Sequence, residues 1–176
     1  MVARRGQGGR VGGRVALITD SSACLPPQVT DRLGVRVLPI AIHLYSGDIH
    51  DGAPHAPELT YGALEAGEPV KSSAPATVEY LSAIEAADAA SVVVITPAIE
   101  FTVMYRNAVL AAEMAERTVA VVDSRAAAAA HGLVVMAAAE VAAAGGTCSP
   151  MLVISARLAP FPPSRAFMSL LPSWKS

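Results

Sequence analysis

The chain has 176 residues, 53% of them hydrophobic, 16% charged and 5% aromatic, with a formal net charge of −2. So apolar a composition excludes an intrinsically disordered protein. So small a charge gives no electrostatic reason to expect nucleic acid or an anionic membrane surface as partner. No apolar run reaches the ~18 to 20 residues of a bilayer span; the nearest, residues 126–144, is interrupted by His131, Gly132 and Glu140 and reads as a buried helix.

Residues 1–13, rich in Arg and Gly, lack the apolar core of a secretory signal and read as an unfolded leader or a mis-called start. Cys24 and Cys148 match no zinc spacing. Two reduced thiols in a cytoplasmic protein are therefore expected. VALIT, residues 15–19, is a continuous apolar run of the kind buried on both faces of a parallel sheet. Pro26 and Pro27 suit a first helical turn, and Gly34 ends that short helix. VRVLPIAIHLY, residues 35–45, reads as one strand made irregular by Pro39. The next stretch is turn-rich, with Asp51-Gly52 placed to close a hairpin. A helix over 57–67 and a loop, VKSSAPAT, follow.

Helical periodicity returns after Thr77, the expected N-cap, with Tyr80, Leu81 and Ile84 on one face. A strand over 91–97, a helix over 101–116, a strand over 117–124 and a long alanine-rich helix over 126–146 complete the pattern. The order β-α-β-α-α-β-α-β-α predicts an α/β fold with a mainly parallel sheet flanked by helices. From about Thr147 the sequence turns proline- and serine-rich and loses any clean period. Residues 147–176 read as a non-matching tail, from truncation or a shifted reading frame.

Three predicted strand ends carry hydroxyls or carboxylates: ITDSS, VITP and VVDS. Asp20, Ser21, Thr96, Asp123 and Ser124 thus fall at the carboxyl edge of the sheet, where open α/β folds bind ligands. Taken singly, each is better explained as a helix cap or turn tie. Ser72 and Ser73 precede a proline and a helix start, a pattern that fits either an anion site or an ordinary capped turn. A serine hydrolase using Ser21 or Ser22 with a loop histidine is the enzymatic alternative, although no GxSxG elbow is present. His43, His50 and His55 fit no zinc template, and neither GxxxxGK[ST] nor GxGxxG occurs.

Taken in order, ITDSSACLP, VRVLPIAIHL, IHDG, SSAPA and VVDSRAAAAAHGLVV resemble the motifs of the DegV family of bacterial fatty-acid-binding proteins. The resemblance runs from about Arg14 to Gly146. Cys24 stands where the family has aspartate, and Ala76 where it has the second serine of TSQPS. The segment TPAIEFTVMY matches least well; aligned on Tyr105, it puts Thr102 at the family's ligand-binding serine. The resemblance implies a non-enzymatic carrier that holds a fatty acid, with its carboxylate on the hydroxyls of Ser72, Ser73 and Thr102. Asp20, Ser21, Thr96, Asp123 and Ser124 would support the cleft. It implies no cofactor besides the bound fatty acid, and a fatty acid kinase as a partner that converts the acid to acyl-phosphate. It also implies a second domain, whose motifs find no match here, so that a truncated chain is expected. A degenerate fragment without activity is the remaining expectation.

Overall fold

The computed structural model describes residues 13–145. The expected leader, its last residue apart, and the expected tail lie outside the described residues, as does Cys148. Four parallel strands, β1 (Val15–Asp20), β2 (Val35–Leu38), β6 (Ser91–Thr96) and β7 (Thr118–Asp123), form the main sheet in the order β2-β1-β6-β7. Helices α1 (Pro27–Leu33) and α5 (Ala128–Ala143) cover one face, α3 (Thr77–Glu85) and α4 (Met104–Met114) the other. The period-two alternation of strand side chains assigns the two cores. Leu17, Val93, Ile95, Ala120 and Val122 meet Val135 and Ala139 of α5. Ile18, Val92, Val94 and Val121 meet Tyr80, Ile84 and Ala108 of α3 and α4. Every residue of β6 is buried, as its unbroken apolar run requires. The expected α/β architecture with a parallel sheet between helices is present.

A second sheet is not in the predicted order. β3 (Ala41–Leu44), β4 (Gly47–His50) and β5 (Lys71–Ser73) pair antiparallel in the order β4-β3-β5. The single strand expected over 35–45 is therefore two. Pro39 has no amide hydrogen for a ladder, so β2 ends at Leu38 and β3 starts anew in the other sheet. The hairpin reverses at Tyr45-Ser46, not at the expected Asp51-Gly52, which instead forms the turn after β4, with Gly52 at φ +86°. The expected loop at Lys71–Ser73 is a strand because β3 offers it a free edge. Lys and Ser have weak strand preference of their own, so pairing, not propensity, makes it extended.

Two helix starts also shift. Thr77 is the first helical residue and Ala76 the cap, where the Glu79 carboxylate accepts the Ala76 amide hydrogen at 2.6 Å. α4 begins at Met104, three residues after the expected Phe101, and Thr102 Oγ1 accepts the Met104 amide at 3.3 Å. α2 (Ala56–Glu65) lies beside β3 through its buried Ala56 and Ala63.

Gly132 decides how closely α5 approaches the sheet edge. A Cβ there would overlap the carbonyl oxygen of Ala23, in the single 3₁₀ turn over Ser21–Ala23 that follows β1. Backbone cannot swing aside as a flexible side chain can. Gly132→Ala is expected to destabilise the fold by about 1 to 3 kcal/mol despite alanine's better helix propensity. The change in urea midpoint measures it; an unchanged or raised midpoint would refute this reading of the contact.

Candidate functional site

At the carboxyl edge the strand order reverses between β1 and β6, the place where open α/β sheets form a crevice. On the α5 face this point is filled. Thr19 Oγ1 donates to the Ile95 carbonyl at 2.9 Å and lies 3.0 Å from His131 Nε2; His131 Nδ1 lies 3.0 Å from Ser124 Oγ. All three residues are fully buried. Because the Thr19 proton goes to Ile95, His131 Nε2 must be the protonated nitrogen and Nδ1 the acceptor of the Ser124 hydroxyl. The Ala126 amide donates to Ser124 Oγ at 3.3 Å and completes the chain. Burial holds the imidazole neutral, with its pKa lowered to about 4.

This network answers for two of the expected cleft residues. Ser124 ties β7 to α5, and its amide donates to the Thr96 carbonyl at 3.0 Å. Thr96 Oγ1 donates back to Val122 at 3.4 Å, and Thr96 is buried. Asp123 Oδ1 accepts the Arg125 amide at 2.8 Å, in a turn where Arg125 adopts φ +53°.

Asp20 and Ser21 do line a cleft. It holds about 620 Å³ between the end of β1 and the turn after β4, with Leu25, Val37, Pro39 and His50 in its walls. Asp20 Oδ1 accepts both the amide and the hydroxyl of Ser22, and Ser21 Oγ accepts the Ile40 amide at 3.0 Å. Burial pushes the Asp20 carboxyl up, opposed by those Ser22 bonds. Its Oδ2 and the hydroxyl of buried Tyr80 have no hydrogen-bond partner among the described residues. Burial, with the charge of Asp20, pushes the Tyr80 phenol up as well. Neither Ser21 nor Ser22 is bonded to a histidine. A depression of about 660 Å³ at the opposite edge, lined by Arg14, Asp31 and Arg32 among others, is remote from all these hydroxyls.

The remaining expected residues lie on the small sheet and the loop before α4. Ser72 pairs with Ile42, and Ser73 with Ala41. Neighbours along a strand point to opposite faces, so Ser72 and Ser73 do not share a face. Ser73 Oγ contacts His43 Nε2 at 2.6 Å, and His43 Nδ1 contacts Asp48 Oδ1 at 2.8 Å. Asn107 Nδ2 donates to the Pro75 carbonyl at 2.9 Å, joining the loop after Ser73 to the first turns of α4 behind Thr102. Along this edge Val78, Ile99, Phe101 and Val103 are exposed.

Sequence reasoning overlooked Thr19, His131 and Asn107 as organising residues, and His43 with Asp48 as a pair. The last was legible in principle: a two-residue turn at 45–46 makes residues five apart cross-strand partners. Among the described residues no cluster of His, Cys, Asp or Glu is arranged to hold a metal. No described helix is long and apolar enough to cross a membrane.

Comparison with known proteins gives a consistent result. The family model described as "Uncharacterised protein, DegV family" matches residues 14–156. A DegV domain-containing protein of Streptomyces coelicolor is 33% identical over 136 residues, 76% of this chain and 48% of that one. Another, from Caldanaerobacter subterraneus, is 26% identical over 139 residues, 76% and 49% of the two chains. This chain thus spans about half the length of the curated relatives it matches. Among solved structures, a DegV family protein of Thermus thermophilus, reported for its fatty acid binding, superposes with TM-score 0.77. It is 29% identical, over 83% of this chain and 53% of its own. A fatty acid binding DegV family protein of Streptococcus agalactiae gives TM-score 0.71 and 25% identity, over 82% and 53%.

Proposed function

This chain belongs to the DegV family, and from that membership we propose that it binds a fatty acid as a carrier. The acid's carboxylate rests on hydroxyls of the Ser72-Ser73 segment and on Thr102, and the acyl chain lies along apolar surface. The bound acid is presented to a fatty acid kinase in the cytoplasm, without a further cofactor. Residues 14–146 form the α/β half that carries these hydroxyls, with Asp20, Ser21, Thr96, Asp123 and Ser124 ordering its polar edge.

One observation supports this reading more than any other. The Asn107–Pro75 bond ties the loop after Ser73 to α4, which Thr102 precedes, and Val78, Ile99, Phe101 and Val103, close in sequence to these two segments, are all exposed. Side chains of this size, left in water next to hydroxyl donors, suit an amphiphile with an anionic head and a long apolar tail. Each buried CH₂ contributes about 0.8 kcal/mol, so a chain of some ten methylenes gains several kcal/mol even where burial is partial.

The test is mass spectrometry of lipid extracted from the purified protein, together with displacement of a fluorescent fatty acid. A bound C14–C18 acid is expected. Ser73→Ala and Thr102→Val should each weaken binding about tenfold, the worth of one hydrogen bond to a charged group. An extract without fatty acid, combined with no binding of added acid, would overturn the proposal.

A further inference from the structure

A row of three side chains crosses the small sheet from edge to edge, and of the three the proposed fatty-acid site calls only on Ser73. Asp48 on β4, His43 on β3 and Ser73 on β5 lie on one face, since His43 pairs directly with Asp48 and Ser73 sits diagonally from His43, two residues beyond Lys71. An ionised carboxylate only accepts hydrogen bonds, so the His43 proton is on Nδ1, facing Asp48. Nε2 of the neutral ring is then an acceptor, and the Ser73 hydroxyl donates to it.

Hydroxyl, Nε2, Nδ1 and carboxylate thus follow the order in which an imidazole removes a proton from serine while a carboxylate fixes its tautomer. Burial does not enforce this arrangement. Ser73 and Asp48 are exposed and His43 partly so, and water would satisfy all three. The serine is held on a strand, open to solvent on the reacting side. Lys71 stands directly across from His43 on the same face and brings positive charge to the site.

We propose that Ser73 is a nucleophile toward carboxylic esters and other activated acyl groups, with His43 as its general base and Asp48 as the residue positioning His43. Ser73 Oγ forms a bond to the carbonyl carbon as its proton passes to His43 Nε2. Lys71 offsets the oxyanion charge that develops. The bond from carbon to the leaving oxygen then breaks, and that oxygen takes the proton from His43 as the alcohol departs. Water attacks acyl-Ser73 by the same route, giving a carboxylic acid and the free serine. The inference does not rest on fatty-acid binding, because a short ester needs no acyl cleft.

The test treats the full chain with a fluorophosphonate probe and, separately, follows hydrolysis of p-nitrophenyl acetate. Peptide mass spectrometry is expected to find the probe on Ser73, with no labelling there in Ser73→Ala. His43→Gln should slow both labelling and turnover about 100-fold or more, the usual worth of a general base. Asp48→Asn should cost about tenfold, less than its buried counterparts because it is solvent-screened. Ser46→Ala, which removes an exposed serine without a histidine, should react as the parent does. Far-UV circular dichroism on each variant separates lost chemistry from lost fold. An unlabelled Ser73 in the folded parent, or a parent-like rate in folded His43→Gln, would overturn the proposal whatever the outcome of lipid extraction.

Discussion

Replacing His131 with alanine is expected to destabilise the protein by about 3 to 4 kcal/mol, through a cavity and two abandoned hydroxyl partners. The side chain is fully buried at the junction of β1, β7 and α5, bonded on one side to Thr19 and on the other to Ser124. Thr19 keeps its bond to Ile95, and Ser124 can turn to the Ala126 carbonyl 3.3 Å away. Most of the loss is therefore lost packing rather than stranded polarity. A domain of this size shifts its melting temperature by about 2 to 4 °C per kcal/mol, so a drop of roughly 10 °C is expected. His131→Gln, which keeps a donor and an acceptor, should lose clearly less. If calorimetry placed both variants within a degree or two of the parent, the network would not be holding this edge together.

Acid should weaken the fold through the same residue. The folded-state pKa of His131 lies near 4, below the ordinary 6.5 that an unfolded chain would show. The unfolded state therefore takes up a proton first as pH falls. Stability is complete above pH 6.5 and is lost progressively down to about pH 4. At about 1.4 kcal/mol per pH unit the full loss is about 3 kcal/mol. Asp20 acts in the opposite sense: burial raises its carboxyl above 3.8, so protonation in the folded state adds stability at the acid end. Urea midpoints of parent and His131→Gln between pH 7 and pH 4.5 separate the two effects. The parent should fall steadily while the variant stays nearly level, and parallel curves would remove His131 as the cause.

Such dependence on one histidine was not legible in the sequence. His131 stood in an alanine-rich helix with no nearby partner in the chain, and its partners are 112 and 7 residues away. The same holds for His43. Nothing local signals that it meets Ser73, 30 residues on, until β5 joins β3. The hydrolase alternative built on Ser21 or Ser22 finds neither of them hydrogen-bonded to a histidine. Both are engaged around Asp20 and Ile40, whereas Ser124 meets buried His131 and Ser73 meets the more open His43.

By itself the sequence determined the main strands at Val15–Asp20, Ser91–Thr96 and Thr118–Asp123, the helices packed on them, the parallel α/β class and the family. These rest on local signals, namely unbroken apolar runs, helical periodicity, a glycine stop and short motifs in fixed order, which a chain carries before it folds. Only tertiary structure decided that residues 35–45 split between two sheets and that Lys71–Ser73 is a strand. It also decided that Ser72 and Ser73 face opposite ways, and that Thr19, His131 and Ser124 fill the switch point as a buried brace. Each of these depends on pairing or packing between distant residues, where a free strand edge or an absent Cβ outweighs the weak preference of any single side chain.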